Sequence, residues 1–229
     1  MTLRVSEIFH SIQGEGKLAG MPSAFVRTSG CNLRCAWCDS PYTSWTSEGE
    51  EMGLERILAR VVETPVRHVV LTGGEPMIAP GIQDLAHALR DAGHHVTIET
   101  SGTVFKEVVC DLMSINPKLA SSTPWKRDPQ WARRHEKARI NLDAIRRLMS
   151  RGQHQLKFVI DRPQDMDEVD EMLVALREVA PTDVLLMPQG VTVGELRERG
   201  GWLVELCKDR GFRFCPRLHI ELFGHKRGT

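Results

Sequence analysis

The sequence predicts an α/β fold built on a mainly parallel sheet. Short β-rich apolar runs alternate with helix-length amphipathic stretches over most of the 229 residues, the pattern of strands covered by crossover helices. Distinctive polar motifs follow the apolar runs rather than precede them: SGCNLRC after SAFVRT, GGEP after HVVLT, SGT after HVTIET, PK after LMSIN and QG after VLLMP. In a parallel sheet or barrel the C-terminal strand ends share one face, and active sites lie there.

Taken in order, strands are expected at RVSEIF (4–9), SAFVRT (23–28), HVVLT (68–72), HVTIET (95–100), LMSIN (112–116), LKFVID (156–161), VLLMP (184–188) and RLHIELF (217–223). Each is rich in β-branched or aromatic residues. Helices are expected in GLERILARVVET, GIQDLAHALRDAG, ARINLDAIRRLMSRG, DMDEVDEMLVALREVA and VGELRERGGWLVELCKDRG, where apolar residues recur at i, i+3 and i+4. Gly93, Gly152 and Gly211 fit helix stops. KLASSTPWKRDPQW (118–131) mixes Ser, Pro and charge and reads as a long loop. No repeat or low-complexity linker divides the chain, so a single domain over 1–229 is expected.

Thirty Lys+Arg balance thirty Asp+Glu. Nothing in that balance calls for nucleic acid or an anionic membrane. The N-terminus lacks the apolar run of a signal peptide, and no stretch approaches the ~20 apolar residues of a membrane span. A cytoplasmic protein is expected, in a compartment where structural disulfides are rare. Cys110, Cys207 and Cys215 sit in apolar contexts and read as small buried hydrophobes.

Cys31, Cys35 and Cys38 need a separate account, because C-x3-C-x2-C packs three thiols into eight residues. A disulfide wants pairs, and such short loops would be strained. Zinc could take the three cysteines with His10, His219 or His225, but the usual second knuckle is missing. A [4Fe–4S] cluster takes one outside ligand per iron. Three cysteines then leave one iron open for a small molecule. Trp37 would wall that ligand, or simply pack on the core.

The trio, with an aromatic before its last cysteine, resembles the signature of the radical S-adenosylmethionine (SAM) enzymes, and TGGEP (72–76) resembles their GGEP motif. SIQGEG (11–16), FVRTSGCNLRC (25–35), CDSPYTSW (38–45), IETSGT (98–103), INPKLASS (115–122), LKFVI (156–160) and LFGHKRGT (222–229) together resemble the 7-carboxy-7-deazaguanine synthase family over almost the whole chain. That resemblance implies a partial, modified (β/α) barrel of the radical SAM type, with mainly parallel strands. It implies conversion of 6-carboxy-5,6,7,8-tetrahydropterin to 7-carboxy-7-deazaguanine and ammonia, on the way to queuosine and other 7-deazapurines. A 5′-deoxyadenosyl radical would abstract hydrogen from C6, the ring would contract, ammonia would leave and the hydrogen would return. Implied too are Mg2+, a flavodoxin- or ferredoxin-type reductant and a homodimer.

Carried over by position, Cys31, Cys35 and Cys38 would ligate the cluster and Ser40 the Mg2+, with Thr43 a second candidate. A hydroxyl is the hard oxygen that Mg2+ prefers. Ile12, Gln13, Gly14, Glu15, Arg27 and Thr72 would meet substrate; the Arg27 fork suits a carboxylate, and Glu15 would read the guanidine-like edge of the pterin. Trp37, Cys38, Asp39, Gly74, Glu75, Ser101, Asn116, Pro117, Lys118 and Gln189 would meet SAM, with the Glu75 carboxylate accepting from its ammonium. Asn116 stands where the family pattern has Ser. The HKRGT tail either helps cover substrate or is surface charge. The radical comes from the cofactor, so no residue is assigned as the catalytic group. The competing readings are a glycyl-radical-enzyme activase of the same superfamily and a non-catalytic zinc-binding module.

Overall fold

A computed structural model of the chain describes residues 2–229. Nine strands form one sheet: β1 Thr2–Ile12, β2 Pro22–Thr28, β3 Glu50–Gly53, β4 His68–Gly73, β5 His95–Thr100, β6 Leu112–Ile115, β7 His154–Ile160, β8 Val184–Pro188 and β9 Arg213–Phe214. The spatial order is β3-β1-β2-β4-β5-β6-β7-β8-β9. From β2 to β9 every neighbouring pair is parallel. β1 runs antiparallel to both β2 and β3. The sheet does not close on itself, since β3 and β9 stand at its two ends. This is the partial (β/α) barrel that the family resemblance implies.

The helices are α1 Pro41–Ser44, α2 Leu54–Val62, α3 Ile82–Asp91, α4 Pro129–Ala138, α5 Leu142–Met149, α6 Asp165–Leu176, α7 Val193–Arg210 and α8 Leu218–Phe223. Local chemistry starts and stops them. Asp128 caps α4 by accepting from the amides of Gln130 and Trp131, ahead of a first-turn proline. Thr192 and Glu195 form a reciprocal capping box on α7. Gly211 ends α7 at φ 68°, where a side chain would be strained.

Side-chain alternation sorts the strands into two faces. Ala24, Val26, Val69, Leu71, Val96, Ile98, Met113, Ile115, Phe158 and Ile160 are buried in the layer under the helices, with Leu85, Leu89, Ile145 and Leu148. The alternate residues line a central cavity: Phe25, Arg27, Thr72, Glu99, Ser114 and Lys157.

Three expectations change. RLHIELF is α8, not a strand. Only Ile220 of its apolar set is fully buried, and Leu222 and Phe223 stay 58% and 46% exposed, so the alternation marks no sheet face. The loop at 118–131 gives way to α4 at Pro129; just Ala132 and His135 of that helix are buried, too few to show a helical stripe. β3 was not expected because Met52 is its one buried residue, after two acids suited to an exposed edge.

Candidate active site

A cavity of about 450 Å³ opens where the parallel strands end. The loop after β2 carries the three cysteines, and the loop after β4 carries Gly73–Pro76. These two loops touch. Gly74 N donates to Thr28 O at 3.1 Å and Glu75 N to Gly30 O at 2.9 Å. A Cβ on Gly74 would fall 2.2 Å from Gly30 O and 2.9 Å from Cys31 Cβ. Glycine is required there by backbone proximity.

Cys31, Cys35 and Cys38 all line the cavity, as do Trp37, Asp39 and Ser40. Burial pushes the Cys31 and Cys35 thiols up to about 12 and raises Cys38 as well. No side-chain cation lowers them below their ordinary value, so thiolates here need a metal's charge. Among the described residues no three His, Cys, Asp or Glu side chains converge as a single-ion site requires. His10 is exposed on β1 and cannot join the trio. The donor set fits a polynuclear iron–sulfur cluster, with space left beside it. On that space Asn116 presents a buried Oδ1 with no hydrogen-bond partner, an acceptor waiting for a ligand's donor.

The cysteine loop is moored from outside. Ala36 N donates to Ser122 O at 2.7 Å and Trp37 Nε1 to Ser121 O at 3.2 Å. Arg34 N donates to His135 Nδ1 at 3.1 Å. With Nδ1 accepting, His135 carries its proton on Nε2, 2.9 Å from Ser122 Oγ. Burial, helped by Arg139, holds His135 down at about 4.

Deeper in the barrel the lining becomes charged. β1 contains a bulge: Val5 pairs with Thr28, but Glu7, not Ser6, pairs with Arg27. The extra residue turns Glu7 inward, where it accepts from Arg27 Nε and Tyr42 Oη, both at 2.7 Å. Arg27 Nη1 lies 3.4 Å from Ser40 Oγ, and Ser40 donates to Asp39 at 3.1 Å. Phe9 stacks on Phe25 with ring centroids 4.8 Å apart.

The loop after β1 enters from the other end, because β1 is antiparallel and Ile12 pairs with Pro22 at the start of β2. It carries Gln13 to Glu99 Oε1 at 3.2 Å. Glu15 is clamped between Lys157 and Arg217. Burial alone would raise the Glu15 carboxyl, but these two charges hold it far below its usual range. Burial likewise opposes the Lys157 ammonium, and Glu15 and Glu99 raise it above its ordinary value. Arg217 also pairs with Asp39.

Most expected residues meet in this one cavity: Ile12, Gln13, Gly14, Glu15, Arg27, Thr72, Gly74, Ser101, Asn116 and Lys118 join the cysteine loop. Four do not. The Glu75 carboxylate is fully buried and spent on Met77 N, Thr100 Oγ1 and both donors of Ser101, so it is no open acceptor for an ammonium. Pro117 is buried outside the lining, and Gln189 is held by its amide to Ile160 O at 2.9 Å. Thr43 is fully buried and donates to Ser40 O at 2.8 Å, capping a turn. Glu15 lines the wall with each oxygen already engaged, Oε2 by Lys157 and Oε1 by Arg217.

Glu99 and Lys157 were not expected. Glu99 accepts from Thr72 Oγ1 at 3.0 Å and from Gln13, and remains partly exposed to the cavity. Both sit mid-strand in motifs noted for their neighbours; the inward parity shared with Arg27 and Thr72 is the signal that finds them. The tail also reaches the site: His225 Nε2 lies 3.0 Å from Asp39 O, and Arg227 bridges Glu7 and Glu48 over the Tyr42 ring.

Comparison with known proteins agrees with this geometry. Residues 25–199 match the model of the radical SAM superfamily. A 7-carboxy-7-deazaguanine synthase of Rhodopirellula baltica is 47% identical over 100% of this chain and 89% of its own length. One of Halobacterium salinarum is 44% identical over 96% and 90%. The crystal structure of QueE from Escherichia coli superposes with TM-score 0.71 at 26% identity, covering 94% of this chain and 93% of that one. The chain is therefore a radical SAM enzyme and belongs to the 7-carboxy-7-deazaguanine synthase family.

Proposed function

We propose that this enzyme converts 6-carboxy-5,6,7,8-tetrahydropterin to 7-carboxy-7-deazaguanine and ammonia, a step of queuosine and 7-deazapurine synthesis. One observation carries the reading: the cysteine trio, the Gly73–Gly74 turn and the Arg27–Ser40 corner open on a single cavity. Cys31, Cys35 and Cys38 would hold the cluster, which with SAM beside it would supply hydrogen-abstracting radical chemistry.

The protein's part is placement and exclusion. Trp37, Gly74, Ser101, Asn116 and Lys118 form the SAM side, where the free Asn116 Oδ1 takes a donor. Arg27 binds the pterin carboxylate. Ser40 Oγ, beside it, would offer Mg2+ a hard oxygen ligand. Phe9 and Phe25 supply a flat apolar wall for the bicyclic ring. Glu99, with one cation beside it where Glu15 has two, takes over the guanidine-like edge. The sheet walls the radical from water and from protein hydrogens. No helix among the described residues is long and apolar enough to cross a membrane. A cytoplasmic homodimer reduced by a small electron-transfer protein completes the reading.

The test is an anaerobic reaction of reconstituted protein with SAM, Mg2+, dithionite and the carboxypterin, followed by mass spectrometry. 7-Carboxy-7-deazaguanine is expected, and Cys35→Ala abolishes it. Formation of 5′-deoxyadenosine with the pterin left intact would refute the substrate assignment alone.

A further inference from the structure

The chain is neutral overall, yet its charge is not evenly spread. Residues 124–137 hold five Lys/Arg against two acids. Both acids are already engaged: Asp128 caps α4, and Glu136 binds Arg139 and Thr123. Lys126, Arg127, Arg133, Arg134 and Lys137 all face solvent. At the edge of this patch Trp125 is 53% exposed, one of the few large apolar side chains left in water.

This surface lies directly on the cysteine loop. Arg127 stacks 3.7 Å over the Trp45 ring, and Trp45 Nε1 donates to Cys35 O at 3.1 Å. Arg34, between Cys31 and Cys35, stacks 4.3 Å over Trp131 of α4. A short run of packed indole and guanidinium groups thus joins the patch to the loop of the cluster ligands.

We propose that the 124–137 face is the docking surface for a small acidic flavin-carrying electron-transfer protein. The inference rests on the radical SAM reading, which requires an electron from outside. Charge complementarity selects an acidic partner. The exposed indole beside the basic patch selects one whose carrier shows an apolar aromatic edge next to acidic residues, as a surface flavin does. One electron leaves the flavin hydroquinone, giving the semiquinone, and enters the cluster held by the trio. No bond forms between the proteins.

The test compares cluster-loaded wild type with Lys126→Glu/Arg133→Glu/Lys137→Glu. None of these three residues is in an ion pair among the described residues or lines the cavity. Affinity for a purified flavodoxin is measured by calorimetry over a salt series, and the rate of cluster reduction by its hydroquinone by stopped flow. Binding is expected to weaken by roughly tenfold or more and to lose most of its salt dependence. Reduction by flavodoxin slows in parallel, while reduction by dithionite stays unchanged. Trp125→Ala, which keeps every charge, weakens binding without altering the salt slope. Wild-type affinity in the charge-reversed variant overturns the proposal. So does loss of affinity for a ferredoxin or for RNA with flavodoxin binding intact. Failure of the synthase reading shows separately, as absent pterin conversion under dithionite.

Discussion

At Gly74 one methyl group decides whether two motifs can meet. An alanine Cβ would sit 2.2 Å from a backbone carbonyl that has no rotamer with which to yield. Gly74→Ala is expected to cost about 1–3 kcal/mol of stability and to lower iron per chain, read by thermal unfolding and metal analysis. Arg27 is a different kind of position, because its role is geometric as much as electrostatic. Lysine keeps the charge but cannot present two donors to Glu7 and a carboxylate together. Arg27→Lys should lower kcat/KM for the carboxypterin by roughly tenfold or more, with substrate-free SAM cleavage little changed. Glu99→Gln should raise the pterin KM with little effect on SAM binding. Equal KM values would return the edge-reading role to Glu15.

At the scale of elements, α4 acts through His135, whose unprotonated Nδ1 holds the cysteine loop at Arg34. Its folded value, about 4, lies below the ordinary 6.5. The neutral form is the folded form, so this contribution is fully present above pH 6.5 and is lost as pH falls toward 4. The swing is on the order of 3 kcal/mol. Thermal midpoints should fall more steeply over that window in the wild type than in His135→Gln, whose amide can both accept and donate. The parallel strands from β2 to β8, the five amphipathic helices and the cavity loops were readable because apolar periodicity and motif spacing record them directly, whereas the two residues of β9 are too short to show a pattern. α4 was not, since a helix with two buried residues leaves no stripe. Nor was the direction of β1, since alternation is the same for parallel and antiparallel pairing. The engagement of Glu75 was not readable either, because nothing local shows that Thr100 and Ser101 donate to its carboxylate.

Over the whole molecule, the open sheet is held across its interior by charge as well as by its apolar layer. Glu15, near the N-terminus, binds Lys157 of β7 and Arg217 ahead of α8. Glu15→Gln leaves two buried cations short of a counter-charge and should cost on the order of 3 kcal/mol, measured by denaturant unfolding. Replacing an exposed pair such as Arg56–Glu50 should change little. The same network has a consequence in time. In a growing chain Glu15 is made first, and the two cations that pair with it follow 142 and 202 residues later. The loop after β1 can be fully seated only once Arg217 has been made. A chain stalled before Arg217 would therefore have its three cysteines already made and no closed chamber behind them, so assembly of the reactive centre is best timed to follow the making of that arginine.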